Sequence, residues 1–93
     1  MNLAELQMLI KSKDHDPDNI QGYFLKLIEE VGELAEAIRT DKPPIDSNIK
    51  NTIGEELYDV MYYVCCLANV YDIDLEKVHK LKSQLNAKKY PSP

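Results

Sequence analysis

Glycine is scarce in this chain: Gly22, Gly32 and Gly54 are the three among 93 residues. No glycine loop able to cradle phosphate is present, which excludes P-loop and dinucleotide-binding folds. Cysteine is limited to the neighbours Cys65 and Cys66. Adjacent cysteines rarely bridge and no zinc-ligand spacing exists, so a reducing, cytoplasmic setting is the expectation. Positive charge is in deficit, with 11 Lys and Arg against 16 Asp and Glu and a net charge of −5. That balance argues against a protein that clamps a nucleic-acid polymer through a basic surface. It leaves room for a small anion accompanied by metal ions. The longest apolar run, residues 60–68, falls well short of the roughly 20 residues a membrane span needs. The opening Met1-Asn2-Leu3-Ala4-Glu5 has no basic segment of the secretory type, so neither export nor a membrane partner is expected.

What is present is ordinary for a folded domain: 44% hydrophobic and 29% charged residues. The length predicts one domain spanning residues 1–93. A domain so small removes only roughly 60–70% of its unfolded surface from water, so self-association is expected. Patterning predicts four helices and no strand, an all-α bundle completed by oligomerisation. Helix 1 is expected over residues 3–11, with Asn2 and Glu5 forming a capping box. Helix 2 is expected over residues 18–39, with Asp16 as its cap and Pro17 in its first turn. Ile20, Tyr23, Phe24, Leu27, Ile28, Val31, Leu34, Ala35 and Ile38 make one stripe along it. Helix 3 is expected over residues 47–71. Its second half is apolar nearly all round, which calls for cover on more than one side and points to a second subunit. Helix 4 is expected over residues 75–89, before a tail that Pro91 stops.

Acidic residues on helices 2 and 3 stand out. With Ile20 as zero, Glu30 lies at about 280° and Glu33 at about 220° around helix 2. With Ile49 as zero, Glu56 lies at about 340° and Asp59 at about 280° around helix 3. Each pair stacks at i, i+3 beside an apolar stripe, so two packed helices would converge four carboxylates. Solvated helix faces are the plain alternative, since glutamate favours helices. Carboxylates against a core, however, must be paired, protonated or bound to a cation. Lys26, one turn before Glu30, is the one nearby base. All-oxygen ligation selects magnesium, manganese or calcium over zinc. A di-iron bundle needs a Glu-x-x-His motif on each of two helices, and only Glu76 with His79 supplies one.

The residues Leu25-Lys-Leu-Ile-Glu-Glu-Val-Gly-Glu-Leu-Ala-Glu-Ala-Ile38 followed by Glu55-Glu-Leu-Tyr-Asp-Val60 resemble the MazG-like, all-α nucleotide pyrophosphohydrolases. The shared pattern is Glu29-Glu30-x-x-Glu33, a gap of 22 residues, then Glu56-x-x-Asp59. The stretch Leu67-Ala-Asn-Val-Tyr-Asp-Ile-Asp-Leu75 and the closing Lys82, Asn86, Lys89, Tyr90 and Pro91 are also similar, so the resemblance covers about residues 20–91.

The resemblance implies a magnesium-dependent enzyme, with manganese as the alternative metal. It would cleave the α–β bond of a nucleoside triphosphate to a monophosphate and pyrophosphate, as a nucleotide-pool house-cleaning activity. Glu30, Glu33, Glu56 and Asp59 would hold the metal. Glu29 and Glu55 would stand beside them, as supports or as the group positioning the attacking water. Lys82, Asn86, Lys89 and Tyr90 share one face of helix 4 and suit phosphate oxygens, although a basic helix end also complements its own dipole. Tyr63 follows Asp59 by four residues, as a stacking partner for a nucleobase or as a core tyrosine. Two other functions stay open. One is phosphoribosyl-ATP pyrophosphohydrolase on the same fold, whose usual histidine after the second motif is missing from Val60-Met-Tyr-Tyr-Val-Cys-Cys66. The other is a non-catalytic helical oligomerisation or binding module.

Overall fold

The structure, a computed structural model, describes residues 1–89. Four helices follow in order: α1 (Leu3–Lys13), α2 (Ile20–Arg39), α3 (Ile53–Val70) and α4 (Leu75–Lys89). There is no strand among the described residues. Tyr90, expected near phosphate, lies outside them. No described helix is long and apolar enough to cross a membrane.

Local hydrogen bonds explain where each helix starts. The capping box at α1 forms: Asn2 Oδ1 accepts from Glu5 N at 2.8 Å, and Glu5 Oε1 accepts from Asn2 N at 3.2 Å. Two otherwise unpaired donors are thereby satisfied. The start of α2 differs from expectation. Asp16 is not its cap; Asn19 is, with no side-chain bond. Asp16 Oδ1 instead accepts from Asp18 N at 3.1 Å, closing a local turn that holds Pro17 ahead of the helix.

The larger correction is at α3, which begins at Ile53 rather than near residue 47. Side chains in the connection capture its backbone. Asp46 Oδ1 accepts from Ser47 N at 2.7 Å and Asn48 Oδ1 from Lys50 N at 3.1 Å. Such bonds compete directly with helical ones. Thr52, fully buried, then caps α3 by accepting from Glu55 N at 3.1 Å. The carbonyls of Pro43 and Pro44 accept from Ile53 N at 2.9 Å and Gly54 N at 2.8 Å. A Cβ at Gly54 would meet the Pro44 carbonyl oxygen at 3.0 Å, so this close approach favours glycine.

Helix α3 is the central element, packing against both α2 and α1, while α4 leans on α1. The core is Ile10 of α1, Tyr23 of α2, and Cys65 and Cys66 of α3. Cover for the second half of α3 thus comes partly from α1 within the same chain. Burial pushes the Cys66 thiol up to about 12, with help from the Asp14 carboxylate. Tyr23 donates its hydroxyl to Asp14 Oδ1 at 2.8 Å and accepts from Asp16 N at 2.8 Å, tying the first connection to the core.

A second polar clasp sets the root of α4. Gln7 Nε2 donates to Asn69 Oδ1 at 3.2 Å and to the Ile73 carbonyl at 2.8 Å, and Gln7 Oε1 accepts from Leu75 N at 2.7 Å. Both amides are buried. Gln7→Ala should cost about 2–3 kcal/mol in urea denaturation, because the remaining buried partners lose their bonds. A cost below half of that would mean water replaces the glutamine.

The apolar stripe of α2 is only half used within the chain. Tyr23 is buried and Leu27 and Leu34 are half-buried, whereas Phe24, Ile28, Val31 and Ile38 are exposed. Leu57, Met61 and Val64 on α3, and Val78, Leu81 and Leu85 on α4, are exposed as well. The radius of gyration is 15.6 Å, where a compact chain of this length has about 12 Å.

Candidate metal centre

The buried arc of α2 runs at about 260–340° from Ile20 and contains Ala37, Glu30, Tyr23, Leu34 and Leu27. Glu30, at about 280°, lies within that arc and therefore faces α3. Helix α3 answers with Glu56 and Asp59. Carboxylate oxygens of Glu30, Glu56 and Asp59 all lie within 4.8 Å of one another, and so do those of Glu29, Glu30 and Glu33. Glu30 belongs to both groups and joins them into one cluster. Glu30, Glu56 and Asp59 are half-buried; Glu29 and Glu33 are exposed.

The electrostatics of this cluster are unfavourable as it stands. Glu30 Oε2 and Glu56 Oε2 are buried without a hydrogen-bond partner. The ion pairs among the described residues are Lys26–Glu29 at 3.3 Å and Arg39–Glu36, and neither involves Glu30, Glu33, Glu56 or Asp59. Burial, then the Glu33 carboxyl and the charges of Asp59 and Glu56, push Glu30 up from 4.5 to about 7. Glu56 is raised by burial and by Glu33, Asp59 and Glu55, and Asp59 by burial, Glu55 and Glu33. Desolvated like charges at this spacing are stable when protonated or when a cation joins them. The donors are all carboxylate oxygens, with no His or Cys in either cluster. Such a set suits a hard divalent cation, whichever metal it is.

Folded Glu30 holds its proton up to about pH 7, whereas its ordinary value is 4.5. The folded state therefore binds more protons across that window, and this part of the stability is present below it and lost as pH rises through it. The melting temperature of the metal-free protein should fall between pH 4.5 and 7, and magnesium should restore it at the upper end. A metal-free melting temperature that rises across the window contradicts this electrostatic account.

Other expected site residues are placed differently. Glu29 is paired with Lys26. Glu55 Oε1 accepts from Asn51 N at 3.0 Å, so one of its oxygens is already holding the start of α3. Tyr63 is half-buried, stacked edge-on against Tyr62 with ring centroids 5.2 Å apart. It feels the charges of Lys26 and Glu30, which places it beside the acids as well as at the core. Lys82, Asn86 and Lys89 are exposed on α4. That helix packs on α1 rather than α2, and none of the leading charges acting on Glu30, Glu56 or Asp59 comes from it. Among the described residues no hydrogen bond or ion pair joins Lys82 or Asn86 to the acids. Conversely, Thr40, Lys42 and Asn51 line a cavity together with Glu33 and Glu56. Hydrophobic periodicity carries no sign of them, because they lie in an irregular connection.

An all-helical domain whose two longest helices converge on buried oxygen donors for a hard cation is the class that fold and site define. Residues 18–91 match the family described as the MazG nucleotide pyrophosphohydrolase domain. The chain belongs to that family. Crystal structures of iMazG from Vibrio DAT 722 are similar throughout. One carrying an N-terminal tag superposes with a TM-score of 0.93 at 50% identity, covering 99% of this chain and all of the other (100%). A C-terminally tagged form gives 0.89 at 52% identity, covering 92% and 98% of the two chains. Two curated proteins are also similar. The uncharacterized protein YpjD of Bacillus subtilis is 37% identical over 63% of this chain and 61% of its own length. Human dCTP pyrophosphatase 1 is 34% identical over 84% of this chain and 48% of its own length. The chain thus spans less than two thirds of either curated relative.

Proposed function

We propose that this protein is a magnesium-dependent nucleoside triphosphate pyrophosphohydrolase, cleaving the α–β bond to release a monophosphate and pyrophosphate, in nucleotide-pool house-cleaning. The observation that carries this reading is the pair of buried, unpartnered oxygens, Glu30 Oε2 and Glu56 Oε2, brought together from two helices. Family membership supports it, and so does a relative whose name states dCTP pyrophosphatase activity.

Glu30, Glu33, Glu56 and Asp59 would hold the metal in this reading, and magnesium there would supply positive charge against the phosphates and acidify a water. Glu29 is better placed than Glu55 to orient the attacking water. It lies with Glu30 and Glu33 and is exposed, whereas Glu55 is engaged by the Asn51 backbone. Lys26 Nζ donates to Glu29 Oε2 at 3.3 Å and holds that carboxylate beside the cluster. Tyr63 flanks the acids and offers a ring face to the substrate.

A second copy of the chain covers the exposed stripes of α2 and α3. The support is the excess radius of gyration and the run of exposed Phe24, Ile28, Val31 and Ile38 along one helix. Assembly also gives Lys82 and Asn86 a route to acids that they do not bond within their own chain. The test is turnover of a nucleotide panel with product identification. Equal amounts of monophosphate and pyrophosphate are expected with magnesium, and none with a chelator. Orthophosphate as the product, or turnover of phosphoribosyl-ATP alone, would replace this reading.

A further inference from the structure

Lys26 stands on the same flank of α2 as the acids. Counted from Ile20 it lies at about 240°, between Glu33 at about 220° and Glu30 at about 280°. Four residues place it one turn, roughly 6 Å along the axis, ahead of Glu30. Helices α2 and α3 pack against each other, with Tyr23 against Cys65 and Cys66 toward one end and Glu33 near Glu56 toward the other. The two helices therefore run in opposite directions, and Tyr63, one turn beyond Asp59, comes to the Lys26 end of the cluster. Lys26 and Tyr63 are close enough there to act on each other's charge.

The partner that Lys26 has within the chain is easily exchanged. Its Nζ donates to Glu29 Oε2 at 3.3 Å, with the two side chains 51% and 53% exposed. Pairs of this kind contribute little to stability, because water screens them and two long side chains lose freedom in forming them. Glu29, then Tyr63 and Glu30, hold the ammonium above its ordinary value, so it stays charged. It is a compact point charge with three donors on a flexible stem. The carboxylates of the cluster offer a phosphate chain acceptors alone and repel it. A donor at their edge supplies what they lack. Phosphate oxygens also suit an ammonium better than one screened carboxylate does, since several charges sit on them together.

A change of partner at Lys26 has a consequence for Glu29. That carboxylate lies with Glu30 and Glu33, their oxygens within 4.8 Å of one another, and in the proposed reaction it orients the attacking water. While it accepts from an ammonium it has less capacity left for a water proton. We propose that Lys26 exchanges Glu29 for the phosphate chain of the substrate, so that arrival of the nucleotide frees Glu29 Oε2 for the attacking water. Lys26 then binds substrate, and Glu29 acts once Lys26 has left it. Water activation is thereby tied to occupancy of the site.

The assignment rests on the pyrophosphohydrolase reading, and the test separates the two. Lys26→Met and Lys26→Arg would be compared with the parent in steady-state kinetics over a panel of nucleoside triphosphates with magnesium. Inorganic tripolyphosphate, which has a phosphate chain and no nucleoside, serves as a competing inhibitor. Lys26→Met should raise KM about tenfold for every nucleotide, keep the ranking of bases, and weaken tripolyphosphate inhibition by the same factor. Its kcat should stay within about threefold of the parent, because Glu29 is then free throughout, whereas Glu29→Gln should lower kcat. Lys26→Arg keeps the charge and should recover most of the lost affinity. Methionine suits a helix as well as lysine does, so the melting temperature should barely move. A lower melting temperature with unchanged KM and tripolyphosphate inhibition would make the pair purely structural and overturn the proposal. A fall in kcat matching that of Glu29→Gln, with KM unchanged, would make Lys26 a support for Glu29 alone and overturn it too. A parent with no magnesium-dependent turnover would remove the underlying reading instead. Calorimetric titration with magnesium tripolyphosphate then decides the phosphate contact: binding by the parent and not by Lys26→Met upholds it, and equal binding overturns it.

Discussion

Glu56→Gln should reduce magnesium-dependent pyrophosphate release by about a thousandfold or more, while making the metal-free protein harder to melt. The two effects share one cause. Glu56 is raised by burial and by its neighbours Glu33, Asp59 and Glu55, so its charge is a burden in the empty fold. Its Oε2 has no donor to satisfy it. Glutamine keeps the shape, removes the charge and adds an N–H that a neighbouring carboxylate can accept. At alkaline pH the variant should melt several degrees higher without metal, the scale of about 1 kcal/mol in a domain of this size. Adding magnesium should reverse the order, since a ligand stabilises only the form that binds it. Calorimetric melting with and without magnesium, alongside the turnover assay, measures both effects. A variant that melts lower without metal, or that keeps parental activity, would break the link between carboxylate repulsion and metal binding.

Ile28→Glu should dissociate the assembly and abolish activity with it. Within one chain the side chain of Ile28 is 53% exposed. A charge at such a position costs a lone domain only about 0.5 kcal/mol or less. If a second copy covers the stripe, the same change forces a carboxylate against apolar surface and costs about 2–4 kcal/mol per copy. Light scattering gives the answer directly. The parent should have a multiple of the 10.7 kDa chain mass, and the variant should fall to that mass or aggregate. A parent that scatters as a single chain, or a variant whose melting and mass are unchanged, would show that the stripe is not an interface.

The helices were legible because their evidence is local. The stripe on α2 follows from the 3.6-residue period, and Asn2 with Glu5 is a spacing that one turn dictates. The acids were legible for the same reason, since a residue's angle around its own helix needs no knowledge of a partner. The start of α3 was not. Ile49 and Ile53 fit a helical stripe, yet Asp46 and Asn48 side chains hold residues 46–52 in another arrangement, and the Pro43 and Pro44 carbonyls take the first N–H groups of α3. Proline carbonyls arriving from outside the helix leave no periodic mark. The approach of the connection to the acids was hidden for the same reason, so Lys42 and Asn51 carried no signal.

By itself the sequence determined four helices, the sides of α2 and α3 on which the acids stand, and the family pattern that joins them. Periodicity suffices for these because it describes each helix about its own axis. Tertiary structure alone decided which part of each stripe is covered. It set α1 against Cys65 and Cys66, turned Glu30 toward Glu56, left Phe24 and Ile28 bare, and rested α4 on α1. The reason is that burial and carboxylate repulsion are properties of pairs of surfaces, and a pair exists only after two elements have packed.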